Sequence, residues 1–171
     1  MDTRKLRRRI RYLLSFFVVG LVISGLTAFP LVWEISILYR LMGPNTAVEH
    51  WWPAMSQWIS TVHQGMIDAN ASYPFLLYGT DWLAFAHIVI AIAFLGPLRD
   101  PVRNLWVIEF GMIACALVIP LALICGPLRG IPAFWQMIDC SFGVVGFIPL
   151  WLARTYVQRL LALEYHPVAT G

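Results

Sequence analysis

Between Asn104 and Ile124 the chain carries a single charged residue, Glu109, in an otherwise apolar run. That length matches the ~20 residues an α-helix needs to cross ~30 Å of hydrocarbon. Lipid offers no partner to a backbone N–H or C=O, so such a run has to satisfy its own polar groups as a helix. Three more apolar runs read the same way. The expected spans are about 10–38, 75–96, 104–125 and 132–153, with an outer loop over 39–74. The expected fold class is all-α: an integral membrane four-helix bundle forming a single transmembrane domain over 1–171. Only 12% of the residues are charged, about half the share in ordinary soluble domains.

Charge placement sets an expected orientation. Six of the twelve Lys/Arg lie in the first eleven residues: Arg4, Lys5, Arg7, Arg8, Arg9 and Arg11. Arg99 and Arg103 flank the turn between spans two and three, and Arg154 and Arg159 follow span four, leaving Arg40 and Arg129 on the other side. Basic residues collect on the cytoplasmic face, so both termini are expected there. The net charge of +3 is then a topology signal, and no nucleic-acid partner is implied. The first apolar run exceeds the 7–15 residues of a signal-peptide core, and a retained first span is expected. Compactness without an organelle signal places the chain in a bacterial inner (plasma) membrane.

Local signals fill in the spans. Pro30 is expected to kink span one, where Gly20, Ser24, Thr27, Leu31 and Glu34 form a stripe of small and polar residues suited to helix packing in lipid. In the outer loop, Trp51, Met55, Trp58, Val62 and Met66 recur at helical spacing. That pattern predicts an extracytoplasmic amphipathic helix with tryptophans at headgroup level and Pro53 in its first turn. Its role is a cap on the bundle or an entry gate for a lipophilic ligand. The run from Trp82 to Leu95 is only ~21 Å long as a helix. Span two therefore begins nearer Phe75, or Thr80 or Asp81 caps it at the outer side. Gly96 and the similar Gly126-Pro127 are expected to stop spans two and three, with Asp100 as N-cap and Pro101 at the first helical position of span three.

Ionisable groups inside lipid are costly and default to functional candidates. His87 lies ~9 Å below Asp81 and Asp139 ~10 Å below Pro132 along their helices, both in the outer half of the bilayer, with Glu34 near the outer surface. Asp81, Ala84, His87 and Ala91 share one stripe; Gln136, Asp139, Gly143 and Gly146 share another. The candidate ligand-binding residues are His87, Asp139, Asp81, Glu34, Gln136 and Trp82. The catalytic candidates are His87, Asp81 and Asp139, because a carboxylate beside an imidazole fixes its tautomer and suits proton transfer or cation binding. A polar network that only ties helices together uses the same residues.

Other chemistries lack their residues. Cys115, Cys125 and Cys140 form neither CxxC nor CxxCH, which argues against a thiol oxidase and a c-type haem. His50, His63 and His166 lie outside the apolar runs, leaving His87 without an in-span partner for a bis-histidine haem. No metal site is indicated, and the sequence leaves the cofactor open. Partners of the expected classes are the lipid bilayer, a lipophilic small molecule or other membrane subunits. The expectation is a small polytopic membrane protein with a binding or accessory role and an outer-leaflet polar pocket. The alternatives are a membrane-embedded enzyme pairing His87 with Asp81 or Asp139 as acid and base, and a structural subunit of a larger membrane complex.

Overall fold

The chain is described by a computed structural model, which covers residues 3–165. Every regular element among the described residues is helical: α1 (Thr3–Ala28), α2 (Leu31–Met42), α3 (Ala47–Trp51), α4 (Pro53–Ser72), a short 3-10 turn (Pro74–Leu77), α5 (Tyr78–Ala93), α6 (Leu95–Arg99), α7 (Leu105–Leu128) and α8 (Ala133–Tyr165). Four helical stretches among the described residues are long and apolar enough to cross a membrane: Thr3–Ala28, Pro74–Arg99, Leu105–Leu128 and Ala133–Glu164.

Contacts gather in two compact units, Leu21–Val89 and the remainder of the chain. In the remainder, the buried side chains follow helical spacing. They are Leu6, Ile10 and Leu14 on α1, Val107 and Ile108 on α7, and Leu150, Ala153, Val157 and Leu160 on α8. Phe94 is fully buried and stacks at a tilt on Phe17, with ring centroids 4.8 Å apart. Glycine sets how closely α7 and α8 approach. A Cβ at Gly143 would stand 2.5 Å from the Cys115 carbonyl oxygen, and one at Gly111 2.8 Å from the Leu150 Cδ1. In lipid, helices associate by such van der Waals contact rather than by escaping water.

A Schellman turn joins the two helices. The Ile131 N–H donates to the Gly126 carbonyl (3.0 Å) and the Gly130 N–H to the Pro127 carbonyl (3.1 Å). Gly130 takes the positive φ of 69° that this motif requires. The helix therefore runs through Gly126-Pro127, which does not stop it. Likewise, α6 carries helical structure past Gly96 to Arg99, and both Gly-Pro pairs lie where a helix continues. Asp100 does accept the Arg103 N–H at 3.1 Å. It caps a turn over residues 101–104, and α7 proper begins at Leu105. Pro101 is accordingly in that turn rather than at the first position of α7.

In the unit Leu21–Val89, span one is broken rather than kinked. Pro30 lacks an N–H and disfavours helical geometry at Phe29, so α1 ends at Ala28 and α2 restarts with the Glu34 N–H donating to the Pro30 carbonyl (2.9 Å). The anticipated stripe is cut at that break, and Gly20, Ser24 and Thr27 are exposed. The packing glycine is Gly25, where a Cβ would stand 3.0 Å from the Ala84 carbonyl. Helix α4 starts with Pro53 in its first turn and packs on α2, burying Met55, Ser56 and Ile59. Trp51 is not on it but ends the separate α3. The 3-10 turn runs directly into α5, so Asp81 and Thr80 lie inside the first turn of α5 and do not cap it. The Thr80 hydroxyl instead donates to the Leu77 carbonyl (2.6 Å).

Candidate functional site

The break at Pro30 frees α2 to form one wall of an open cleft of about 800 Å³ within the unit Leu21–Val89. Phe29, Trp33, Ser36 and Arg40 line one side at steps of four, three and four; Asn70, Pro74, Leu77 and Asp81 line the other at the same steps. Trp33, Ser36 and Arg40 share one face of α2, while the opposite set is drawn from the end of α4, the 3-10 turn and the start of α5. Pro30, Val32 and Tyr78 complete the lining. The mixture suits an amphiphile: aromatic and aliphatic walls, with a guanidinium and a carboxylate among them.

Among the described residues neither charge has an ion-pair partner. The ion pairs found among the described residues are Arg7–Glu164, Arg103–Asp100 and Arg154–Glu109, and none involves Arg40 or Asp81. The helix ends favour both charges nonetheless. Arg40 sits in the last turn of α2 and Asp81 in the first turn of α5, each at the end whose dipole matches its sign. Two neighbours are committed elsewhere: the Ser36 hydroxyl donates to the Val32 carbonyl (2.7 Å), and Tyr39 stacks on His63 at 4.3 Å.

The anticipated residues are distributed unevenly. Asp81 lines the cleft; Glu34, Trp82 and His87 belong to the same unit but do not line it. The His87 Nδ1–H donates to the Leu83 carbonyl of its own helix (2.8 Å), which assigns the ring proton to Nδ1 and leaves Nε2 as the second ring nitrogen. Trp82 is exposed within a ladder of edge-on rings, Tyr78–Trp82 and Trp82–Phe85, each with centroids 6.0 Å apart. Gln136 and Asp139 belong to the other unit. The Gln136 side-chain amide donates to the Ile131 carbonyl (2.7 Å), fastening the start of α8 to the Schellman turn. Asp139 is half-buried on α8. All three cysteines are free, and no group of metal-binding side chains occurs among the described residues.

Sequence reasoning missed Arg40, Trp33, Asn70 and Tyr78. The signal is the matching four-three-four spacing on either side of the loop, hidden because the apolar run of span one extends into α2. It also left Glu109 without a partner. In the structure the Arg154 Nε–H donates to a Glu109 carboxylate oxygen at 2.8 Å, joining α7 to α8. Comparison with family models, with curated proteins and with solved structures finds no match to this chain.

Proposed function

We propose that this is a multi-pass membrane protein whose role is to bind an amphiphilic small molecule in the cleft between α2 and the segment from Asn70 to Asp81. The observation that carries the reading is the cleft itself, about 800 Å³ with Trp33, Leu77, Arg40 and Asp81 on its walls. Ligand sites typically enclose ~300–1,000 Å³ and pair apolar walls with a few polar groups. Exposed Tyr73, Phe75, Tyr78 and Trp82 gather beside it, as aromatic residues do at a membrane–water boundary. With the basic first eleven residues on the cytoplasmic side, that boundary is the outer leaflet of a bacterial inner membrane. The helices from α2 to α4 then form the extracytoplasmic element, and the ligand enters from lipid.

Native mass spectrometry of the protein released from membranes in mild detergent tests the reading. A retained lipid or other amphiphile is expected, and Trp33→Ala should reduce its occupancy several-fold while the helices melt at the same temperature. Protein that emerges free of ligand, and that takes up none from mixed lipid micelles, would leave a structural subunit as the better description.

A further inference from the structure

The charges in the cleft narrow the ligand's class. Arg40 and Asp81 are formal opposites, so the site has no net charge to draw a purely anionic or purely cationic molecule. They are also apart: no ion pair joins them, so no Asp81 carboxylate oxygen comes within 4.0 Å of an Arg40 nitrogen. A helical side chain leans toward the N-terminus of its helix, so the Arg40 stem runs back along the cleft wall rather than away from it. A guanidinium offers paired N–H donors to phosphate or carboxylate, and Asp81 offers two acceptor oxygens. Tyr78, one turn before Asp81 and also in the lining, adds an aromatic face of the kind that attracts an ammonium.

We infer that the ligand is a zwitterion, with its phosphate or carboxylate toward Arg40 and its ammonium toward Asp81 and Tyr78. This rests on the amphiphile-binding reading above and specifies the headgroup that reading leaves open. A ligand with only an anion meets attraction at Arg40 and repulsion at Asp81, whereas a zwitterion satisfies both groups in one orientation.

The test compares lipids with identical acyl chains carrying phosphoethanolamine, phosphoglycerol or no charged headgroup (a diacylglycerol). Each is titrated onto the full-length, delipidated protein in uncharged detergent and followed by native mass spectrometry. The phosphoethanolamine lipid should bind about tenfold more tightly than either of the others, the effect of one charge-assisted hydrogen bond. Arg40→Gln should weaken both phosphate-bearing lipids several-fold and leave the diacylglycerol unchanged. Asp81→Asn should raise affinity for the phosphoglycerol lipid several-fold, because it removes the repulsion. Equal binding of the phosphoethanolamine and phosphoglycerol lipids by the unaltered protein would overturn the inference while keeping the amphiphile reading, and this comparison requires no substitution to fold. Asp81→Asn lowering all three affinities alike would also overturn it. Binding of none of the three would overturn both. Full displacement of the lipid by an equal concentration of free O-phosphoethanolamine would keep the zwitterion and overturn the amphiphile.

Discussion

The α7–α8 hairpin and the α2–α4–α5 region treat polar groups in opposite ways. In the hairpin, Glu109 is paired with Arg154 and the Gln136 amide is bound to the turn, while Gly111 and Gly143 leave no room for a methyl group. In the other region Arg40 and Asp81 line an open cleft and have no ion-pair partner among the described residues. Gly65 and Gly79 have open space where a Cβ would go. Polar groups that hold helices together have spent their hydrogen-bonding capacity on one another. Groups left facing a cleft still have theirs to give, and for that reason the binding reading attaches to the second region and not to the first.

The sharpest way to break this contrast is steric. Gly143→Leu should destabilise the hairpin by about 1–3 kcal/mol or more, because its Cβ meets backbone at Cys115 that cannot rotate away. Thermal unfolding in detergent micelles would show a lowered midpoint, and an unchanged one would mean the packing is looser than described. Next comes the Glu109–Arg154 pair. Both side chains are more than a third exposed, so a double-mutant cycle with Glu109→Gln and Arg154→Gln should return a coupling of about 1 kcal/mol or less. Gly65→Ala serves as the control in the open region. It should be neutral or stabilise α4 by about 0.5–1 kcal/mol through a less flexible unfolded chain, and a loss of stability would contradict the space described there. The smallest effect is expected at Arg7–Glu164, at 2.7 Å but nearly half exposed. Removing it should change the unfolding midpoint hardly at all in 0.15 M salt, where exposed charges are screened.

Lipid made the main helices legible, because it demands length and apolarity together and few soluble sequences supply both. What it hid was the meaning of interruptions. Proline within an apolar run signals either a kink or a break, and at Pro30 it is a break. Pro120, Pro127 and Pro149 sit inside continuous helices, and residue type alone does not separate the two outcomes. Glycine-proline pairs predict stops, yet the real stop after α7 is Gly130, whose backbone adopts the left-handed conformation. The Glu109–Arg154 pair was within reach. Glu109 lies twenty residues before Arg129 and Arg154 twenty-two after Pro132, so in an antiparallel hairpin they fall at one level. Of the anticipated site residues, Asp81 reaches the cleft through its place in the first turn of α5. His87 was singled out for being an imidazole in an apolar run, a property that says nothing about which groups surround it.

The turn at Gly130 bears on how the chain is made. Only Arg129 to Pro132 separates α7 from α8, too short a link for one helix to settle in the bilayer while the other waits outside. The hairpin is thus the natural unit of insertion. If its turn leads the way, the backbone bonds closed at Gly126 and Pro127 enter already satisfied, and the Arg129 guanidinium goes ahead of the Asp139 carboxylate on α8 as charges that have to be carried into hydrocarbon.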